Sequence, residues 1–276
     1  MIGSWLRLDS QSLNRFFVRF TKRMFKILGL QIMKIGSLDV ILSHERLRAK
    51  DELAFILKMP QKSLEQLLQY FGASKAQLWQ DLFVLSELEF KRNGFFVEFG
   101  AANGIDLSNT YLLEKDFKWT GILAEPAKYW HSELKKNRSA FIEDKCVWID
   151  STSTLTFNET STPELSTIAS FSSGDMHRQS RESGREYRVE TISLNDLLIK
   201  YNAPHYIDYL SIDTEGSEFS ILNSLDFEKF SFKVITCEHA YTKERENIKS
   251  LLESHGYVRK YQELSAFDDW YVRESD

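Results

Sequence analysis

The stretch "GFFVEFGAANGIDLSNTYLLEK", Gly94 to Lys115, reads as a strand, a small-residue bend and a helix in succession. Phe95 to Phe99 make an aromatic-rich strand suited to burial on both faces of a parallel sheet. Gly100, Ala101, Ala102, Asn103 and Gly104 follow with little side-chain bulk, so a ligand can come close to the backbone. A helix is predicted over Leu107–Lys115, started by Asp106 or Ser108, and its free amide groups point back at the bend. The unit predicts a parallel sheet with a ligand held at a strand end.

Outward from this unit the same rhythm continues. Strands are predicted at Thr120–Glu125, Ala140–Ile149, Tyr206–Ile212, Lys233–Glu238, Tyr257–Tyr261 and Phe267–Val272. Helices fall between them at Lys128–Arg138, Leu194–Tyr201, Glu218–Leu225 and Lys243–His255. Strands alternating with helices specify an α/β chain with a doubly wound, mostly parallel sheet. Before it, residues 37–92 carry helical apolar spacing broken at Pro60 and Gly72, so they form a helical region ahead of the 93–276 domain. One segment breaks the rhythm, Ser151 to Arg188, rich in Ser and Thr and read as a long functional or disordered loop.

Composition narrows the class. The 276 residues are 42% hydrophobic, enough for a sizeable core, and the net charge is −5. That charge is uneven: residues 1–36 hold seven basic side chains against the single acid Asp9, leaving an acidic body that disfavours nucleic acid as a partner. Within this arm Leu13, Phe16, Phe17, Phe20, Met24 and Leu28 share one helical face and the basic residues largely the other. Two readings of the arm stay open: peripheral contact with an anionic membrane surface, or packing on its own domain or on a second copy in a homo-oligomer. Its longest uncharged run, Ile27 to Met33, is too short to span a bilayer. Cys146 and Cys237 both fall in predicted strands, as buried thiols of a reducing, cytoplasmic setting do.

The ligand follows from the neighbours of the bend. "GAANG" lacks the Lys-Ser/Thr of a phosphate loop and the GxGxxG spacing of dinucleotide sites. In "GILAEP" the second strand ends at Glu125, beside Pro126, where a carboxylate accepts both hydroxyls of a ribose. Glu98, a carboxylate in an apolar strand, needs a cationic partner such as a ligand ammonium group. An adenosine with an amino-acid tail meets these demands, which is S-adenosylmethionine. "FIEDKCVWID" would bring Asp144 and Cys146 or Val147 to the adenine, while Glu98, Gly100, Ala101 and Gly104 line the methionine end. Asn103, Ser108 and Asn109 either touch the cofactor or cap the helix.

"VEFGAANGIDLSNTYLLEK", "GILAEP", "VETISLNDLL" and "YLSIDTEGSEFSIL" resemble the signature segments of FkbM-type methyltransferases, and the likeness runs from about Asn93 to Val272. The resemblance implies a Rossmann-like class I fold with a seven-stranded sheet and S-adenosylmethionine-dependent O-methylation.

Methyl transfer to a hydroxyl needs alignment and a way to remove the acceptor proton. "YLSIDTEG" and the next strand place Asp213, Glu215, Glu238 and His239 at adjacent strand ends. Three readings stay open there. His239 is the general base, oriented by Asp213 or Glu215; or Asp213, Glu238 and His239 hold a divalent metal, Mg or Mn; or Glu215 and His239 are structural. The Ser/Thr-rich loop with Arg178, Arg181 and Arg185 is expected to cover a polyhydroxylated acceptor, a sugar, glycan or glycolipid hydroxyl. The alternatives are a polyketide-like acceptor, or a non-catalytic adaptor that keeps the fold.

Overall fold

The computed structural model describes residues 35–173 and 177–274, with side chains from Leu47 onward. The amphipathic helix expected within residues 1–36 lies outside the described residues. Two compact units divide between Ala54 and Phe55. The described part of the first is the start of helix α1 (Ile35–Lys58), which carries an exposed Arg48–Glu52 pair one turn apart at 3.3 Å.

The second unit holds the end of α1, two more helices, α2 (Gln61–Tyr70) and α3 (Gln80–Glu87), and the sheet. Its main strands are β1 (Phe95–Phe99), β2 (Thr120–Ala124), β3 (Phe141–Glu143), β8 (Tyr206–Ile212), β9 (Ser231–Glu238), β10 (Tyr257–Lys260) and β11 (Asp268–Arg273). They form one seven-stranded sheet in the order β10-β11-β9-β8-β1-β2-β3, parallel except for β11, which runs antiparallel between β9 and β10. From β1 the chain winds outward through β2 to β3, then returns to the other side of β1 at β8. The carboxyl ends of β1 and β8 therefore flank the switch point where such sheets bind ligands.

Strand alternation fills a core on each face. Val97 and Phe99 of β1 pack with Leu197 and Leu198 of α7 (Leu194–Lys200), Ile221 and Leu222 of α8 (Glu218–Asn223), and Ile248 and Leu252 of α9 (Glu244–Ser254). Phe96 points the other way, toward Phe83 of α3, Trp270 of β11, and Leu112, Leu113 and Phe117 of α4 (Tyr111–Phe117). Phe83 and Trp270 stack at 4.8 Å, so the helices before the sheet belong to its core. Among the described residues no helix is long and apolar enough to cross a membrane.

Two expectations change. The strand expected over Ala140–Ile149 is two: β3 ends at Glu143, and β4 (Cys146–Trp148) leaves for a second sheet. Glu143 is buried and paired with Lys200 at 2.6 Å, while Asp144 and Lys145 turn outward between the strands. The second sheet, ordered β4-β7-β5-β6, absorbs the segment read as a loop, with β5 (Thr154–Glu159), β6 (Thr167–Ile168), the short helix α6 (Arg178–Arg181) and β7 (Arg185–Ser193). Phe157, Ile168 and Val189 give it a small core against Ala127, Trp130 and Cys146. Its strands bury one face only, so the Ser, Thr and charged residues that suggested a loop are the exposed half of an alternating pattern.

Candidate active site

A cleft opens over the carboxyl ends of β1, β2, β8 and β9.

One end is built by the bend after β1. Gly100 has φ +73°, and a Cβ there would lie 2.2 Å from the Asp213 carbonyl oxygen, so glycine is required where the ends of β1 and β8 meet. Ahead of α4, Asn103 Oδ1 accepts the amide protons of Ile105 and Asp106 at 2.9 Å each, and Ser108 Oγ accepts from Tyr111 N at 3.1 Å. The helix thus starts at Tyr111, four residues later than predicted. A fifth helix, α5 (His131–Asn137), packs beneath the bend, where a Cβ on Gly104 would meet Leu134 at 2.7 Å and Arg138 at 2.6 Å.

Glu125 lies buried on the cleft wall at the end of β2. Its Oε2 accepts the Ala102 amide proton and its Oε1 that of Ala127, both at 2.8 Å, leaving each oxygen a further lone pair. Burial pushes its carboxyl up to about 7 in spite of these bonds. Glu98 is satisfied from within: Ser108 Oγ, Thr110 Oγ1 and Asn109 N donate to it, and the buried Arg138 guanidinium stands 3.7 Å away. The cation that this acid requires is therefore supplied by the chain. Asn109 donates Nδ2 to Ser211 Oγ at 2.9 Å, while its buried Oδ1 has no partner among the described residues. Pro126, Trp130, Cys146, Val147, Phe157 and Ile168 form an apolar wall, in which the indole nitrogen of Trp130 also has no partner among the described residues. Burial, with the nearby Glu125 adding, pushes the Cys146 thiol up to about 12, so it is an inert wall element.

Of the residues expected at the cofactor, Glu98, Gly100, Asn109, Glu125, Pro126, Cys146 and Val147 line the cleft. Ala101, Asn103, Gly104 and Ser108 lie behind it as the scaffold of the bend. Asp144 is drawn outward by Lys135 at 3.0 Å, and so does not reach the cleft wall.

Beside the bend, where β8 and β9 end, the wall is acidic. Asp213, Glu215 and Glu238 bring carboxylate oxygens within 4.8 Å of one another. Asp213 and Glu238 share a hydrogen bond; burial raises both, and the negative charge of Asp213 raises Glu238 further, so Glu238 keeps its proton and donates it to Asp213. Glu215, at φ +59°, is held by Arg181 Nη2 at 2.7 Å, and Thr167 Oγ1 donates to the Glu215 carbonyl at 3.0 Å. Arg181 is fully buried and also donates to the Leu165 carbonyl, which fastens the second sheet to the turn after β8. Arg178 and Arg185 are exposed and do not line the cleft. The arginines expected to bind an acceptor are thus structural or peripheral.

His239 does not join this cluster. Its amide proton goes to the Phe267 carbonyl, its Nδ1 accepts from Tyr241 N at 3.0 Å, and its Nε2 lies 3.9 Å from Asp269. The approach of β11 to β9 turns the imidazole away from the cleft, so the candidate metal set with His239 is not assembled, and the acids that do gather are Asp213, Glu215 and Glu238. Burial also lowers its pKa and keeps it neutral. The sequence reading missed Asp268, paired across the strands with Glu238, and Gln77, Gln80, Glu164 and Ser166, which also line the cleft. Burial pushes Asp268 up to about 8. The only local signal for it was the acid pair opening "DDWYVR".

The methyltransferase FkbM domain matches residues 98–267, more than half of the chain. No curated protein matches. Among solved structures, the precorrin-6y C5,15-methyltransferase from Geobacter metallireducens GS-15 is similar with a TM-score of 0.40 and 12% identity, over 71% of this chain and 87% of that one. A chain of a fibrillarin/Nop5p complex is similar with a TM-score of 0.36 and 12% identity, over 72% and 83%. Both likenesses are distant, and the strand order with its one antiparallel strand defines the Rossmann-like fold here.

Proposed function

Because the chain belongs to the methyltransferase FkbM domain family, and is a methyltransferase, we propose that it methylates a hydroxyl of a sugar, glycan or glycolipid using S-adenosylmethionine. The residues present fit that cofactor. Gly100 lets the ends of β1 and β8 close up beneath the bend, Glu125 has lone pairs for ribose hydroxyls, and Asn109 Oδ1, without a partner among the described residues, suits an ammonium group. The apolar wall around Val147 and Trp130 suits an adenine, with the orphan indole N–H as a donor. When bound, the cofactor supplies a methyl group on a sulfonium centre.

What the chain adds is orientation and proton handling. The observation that carries the reading is the Asp213–Glu238 pair on the cleft wall, near enough to Glu125 for the charge of Asp213 to raise that carboxyl. Burial lifts Asp213 toward the range in which a carboxylate is an effective base, and Glu238 holds it in place by the shared proton. Asp213 accepts the acceptor hydroxyl proton; Arg181 fixes Glu215 beside it. Base chemistry thus passes from His239 to Asp213. Gln77, Gln80, Glu164 and Ser166 give the cleft the polar groups that a polyol uses, which favours it over a polyketide-like acceptor.

A second reading rests on the convergence of Asp213, Glu215 and Glu238 within 4.8 Å, a spacing that would suit a divalent ion. Incubating the full chain with candidate glycans and methyl-labelled S-adenosylmethionine, with and without a chelator, tests both. A glycan gaining one labelled methyl irrespective of chelation supports the base reading; dependence on magnesium or manganese favours the metal. Label on no glycan, but on an apolar polyhydroxylated compound, would reject the sugar acceptor.

A further inference from the structure

Residues 74–80 precede the stretch that matches the FkbM domain, yet Gln77 and Gln80 of this segment line the cleft. Two ties set its course. Ala76 makes a parallel bridge with Leu107, in the loop after β1, and Gln80 Nε2 donates at 3.0 Å to Asp268 at the head of β11. Between β1 and β11 the sheet holds β8 and β9, so the segment passes beside their carboxyl ends, where Asp213 and Glu238 lie. In the methyl-transfer reading that is the ground the acceptor must occupy.

The segment is held firmly. Ser74 Oγ donates to the buried Asp81 at 2.7 Å, Gln80 Oε1 accepts from Leu78 N at 2.9 Å, and Trp79 is buried against Phe55 and Phe71. Gln77 is the exception: it is exposed, and its carboxamide makes no hydrogen bond among the described residues. Strain marks both strands of the bridge. Trp79 at φ +59° and Leu107 at φ +60° are left-handed without being glycine, and Leu107 is 51% exposed where it lines the cleft. Backbone strain of this kind clusters where ligands are met.

The rim thus presents an apolar side chain and, one residue along from its bridge partner, a carboxamide with two donors and an acceptor to spare. Neither group offers a charge. A pyranose meets both, with its C–H face on Leu107 and neighbouring hydroxyls on Gln77, one donating to Oε1 and one accepting from Nε2. We propose that residues 74–80 are the acceptor-selecting rim of the cleft, and that Gln77 and Leu107 determine specificity by holding a neutral pyranose over the Asp213–Glu238 pair. This rests on the methyl-transfer reading above and deepens it, since it names the residues that choose among sugars and puts one of them ahead of the family domain.

The test uses the full chain, an array of neutral and charged glycans, and methyl-labelled S-adenosylmethionine, with calorimetry of S-adenosylhomocysteine as the control on the cofactor. Wild-type chain is expected to label neutral pyranosides. On the best-labelled glycan, Gln77→Leu should raise KM about fivefold or more, the scale of one net hydrogen bond, with kcat within about twofold. Leu107→Asn separates recognition from stability. Asparagine tolerates the left-handed backbone, so this variant should melt no lower than wild type, yet raise KM about threefold or more through the lost apolar contact. Should it melt lower, Gln77→Leu alone decides. Both variants should bind S-adenosylhomocysteine within about twofold of wild type. An unchanged KM, a loss confined to kcat, label only on charged glycans, label on no glycan, or loss of S-adenosylhomocysteine binding in Gln77→Leu would each overturn the proposal. Failure of the wild-type chain to bind S-adenosylhomocysteine would instead overturn the methyl-transfer reading beneath it.

Discussion

Arg138 offers the most demanding test of how the cofactor end is held. Its side chain is fully buried, and donates Nε to Glu114 at 2.8 Å, Nη1 to the Gly104 carbonyl at 3.0 Å and Nη2 to Thr110 Oγ1 at 2.8 Å. Glu98 stands 3.7 Å away. Arg138→Met keeps most of the stem and removes the charge, leaving Glu98 buried without a cation and Glu114 with only Lys115 at 3.1 Å. Breaking one partner from a buried ion pair costs about 3–5 kcal/mol. At roughly 2–4 °C per kcal/mol for a domain of this size, the melting temperature should drop by ~6–20 °C.

The pH dependence has a definite sign. Burial raises Glu98 above its ordinary value of 4.5 while Arg138 opposes the rise, so the native protein already loses stability as pH climbs from there through the folded value. Without Arg138 that folded value moves higher and the loss deepens. Glu114 is held below 4.5 because Arg138 and its hydrogen bonds outweigh its burial, and the stability this lends above 4.5 disappears with the guanidinium. Both effects make the deficit larger at about pH 8 than at about pH 5. Thermal unfolding of the two proteins at both values measures it. A deficit below about 1 kcal/mol, or one that is the same at both, would refute the account of Arg138 as the buried counter-ion of the bend.

Three further outcomes are expected. Gly100→Ala places a Cβ 2.2 Å from the Asp213 carbonyl at φ +73°, so calorimetry should find S-adenosylhomocysteine binding lost; unchanged binding would mean that the ends of β1 and β8 can separate freely. Ionised Glu125 is the better acceptor for ribose hydroxyls and titrates at about 7, so S-adenosylhomocysteine affinity should rise with pH through that value, and Glu125→Gln should flatten the curve. Asp213→Asn should cut turnover of the labelled acceptor by about 100-fold or more with cofactor affinity retained, whereas His239→Ala, outside the cleft, should leave turnover within about threefold. Equal losses in the two variants would return the base role to His239.

Local pattern alone determined a good deal of this protein. Phe95–Phe99 and Tyr206–Ile212 are strands with the bounds expected, because a five- to seven-residue apolar run between polar breaks has one comfortable state in a parallel sheet. The bend at Gly100 and the carboxylate at Glu125 were readable too, since both lie on one strand–turn–helix unit or its neighbour. What the tertiary structure decided is what depends on distant partners. Glu98 looked in want of a ligand cation until Arg138, forty residues along, came beneath the bend to serve it. His239 looked like a base until β11 inserted antiparallel beside β9, turned the imidazole toward Asp269 and brought Asp268 to the cleft in its stead. The Ser/Thr-rich segment looked like a loop because strands that bury one face on a small core carry half their pattern in water. Periodicity records which residues are buried; which charges meet is set by strand order, and only the folded sheet fixes that.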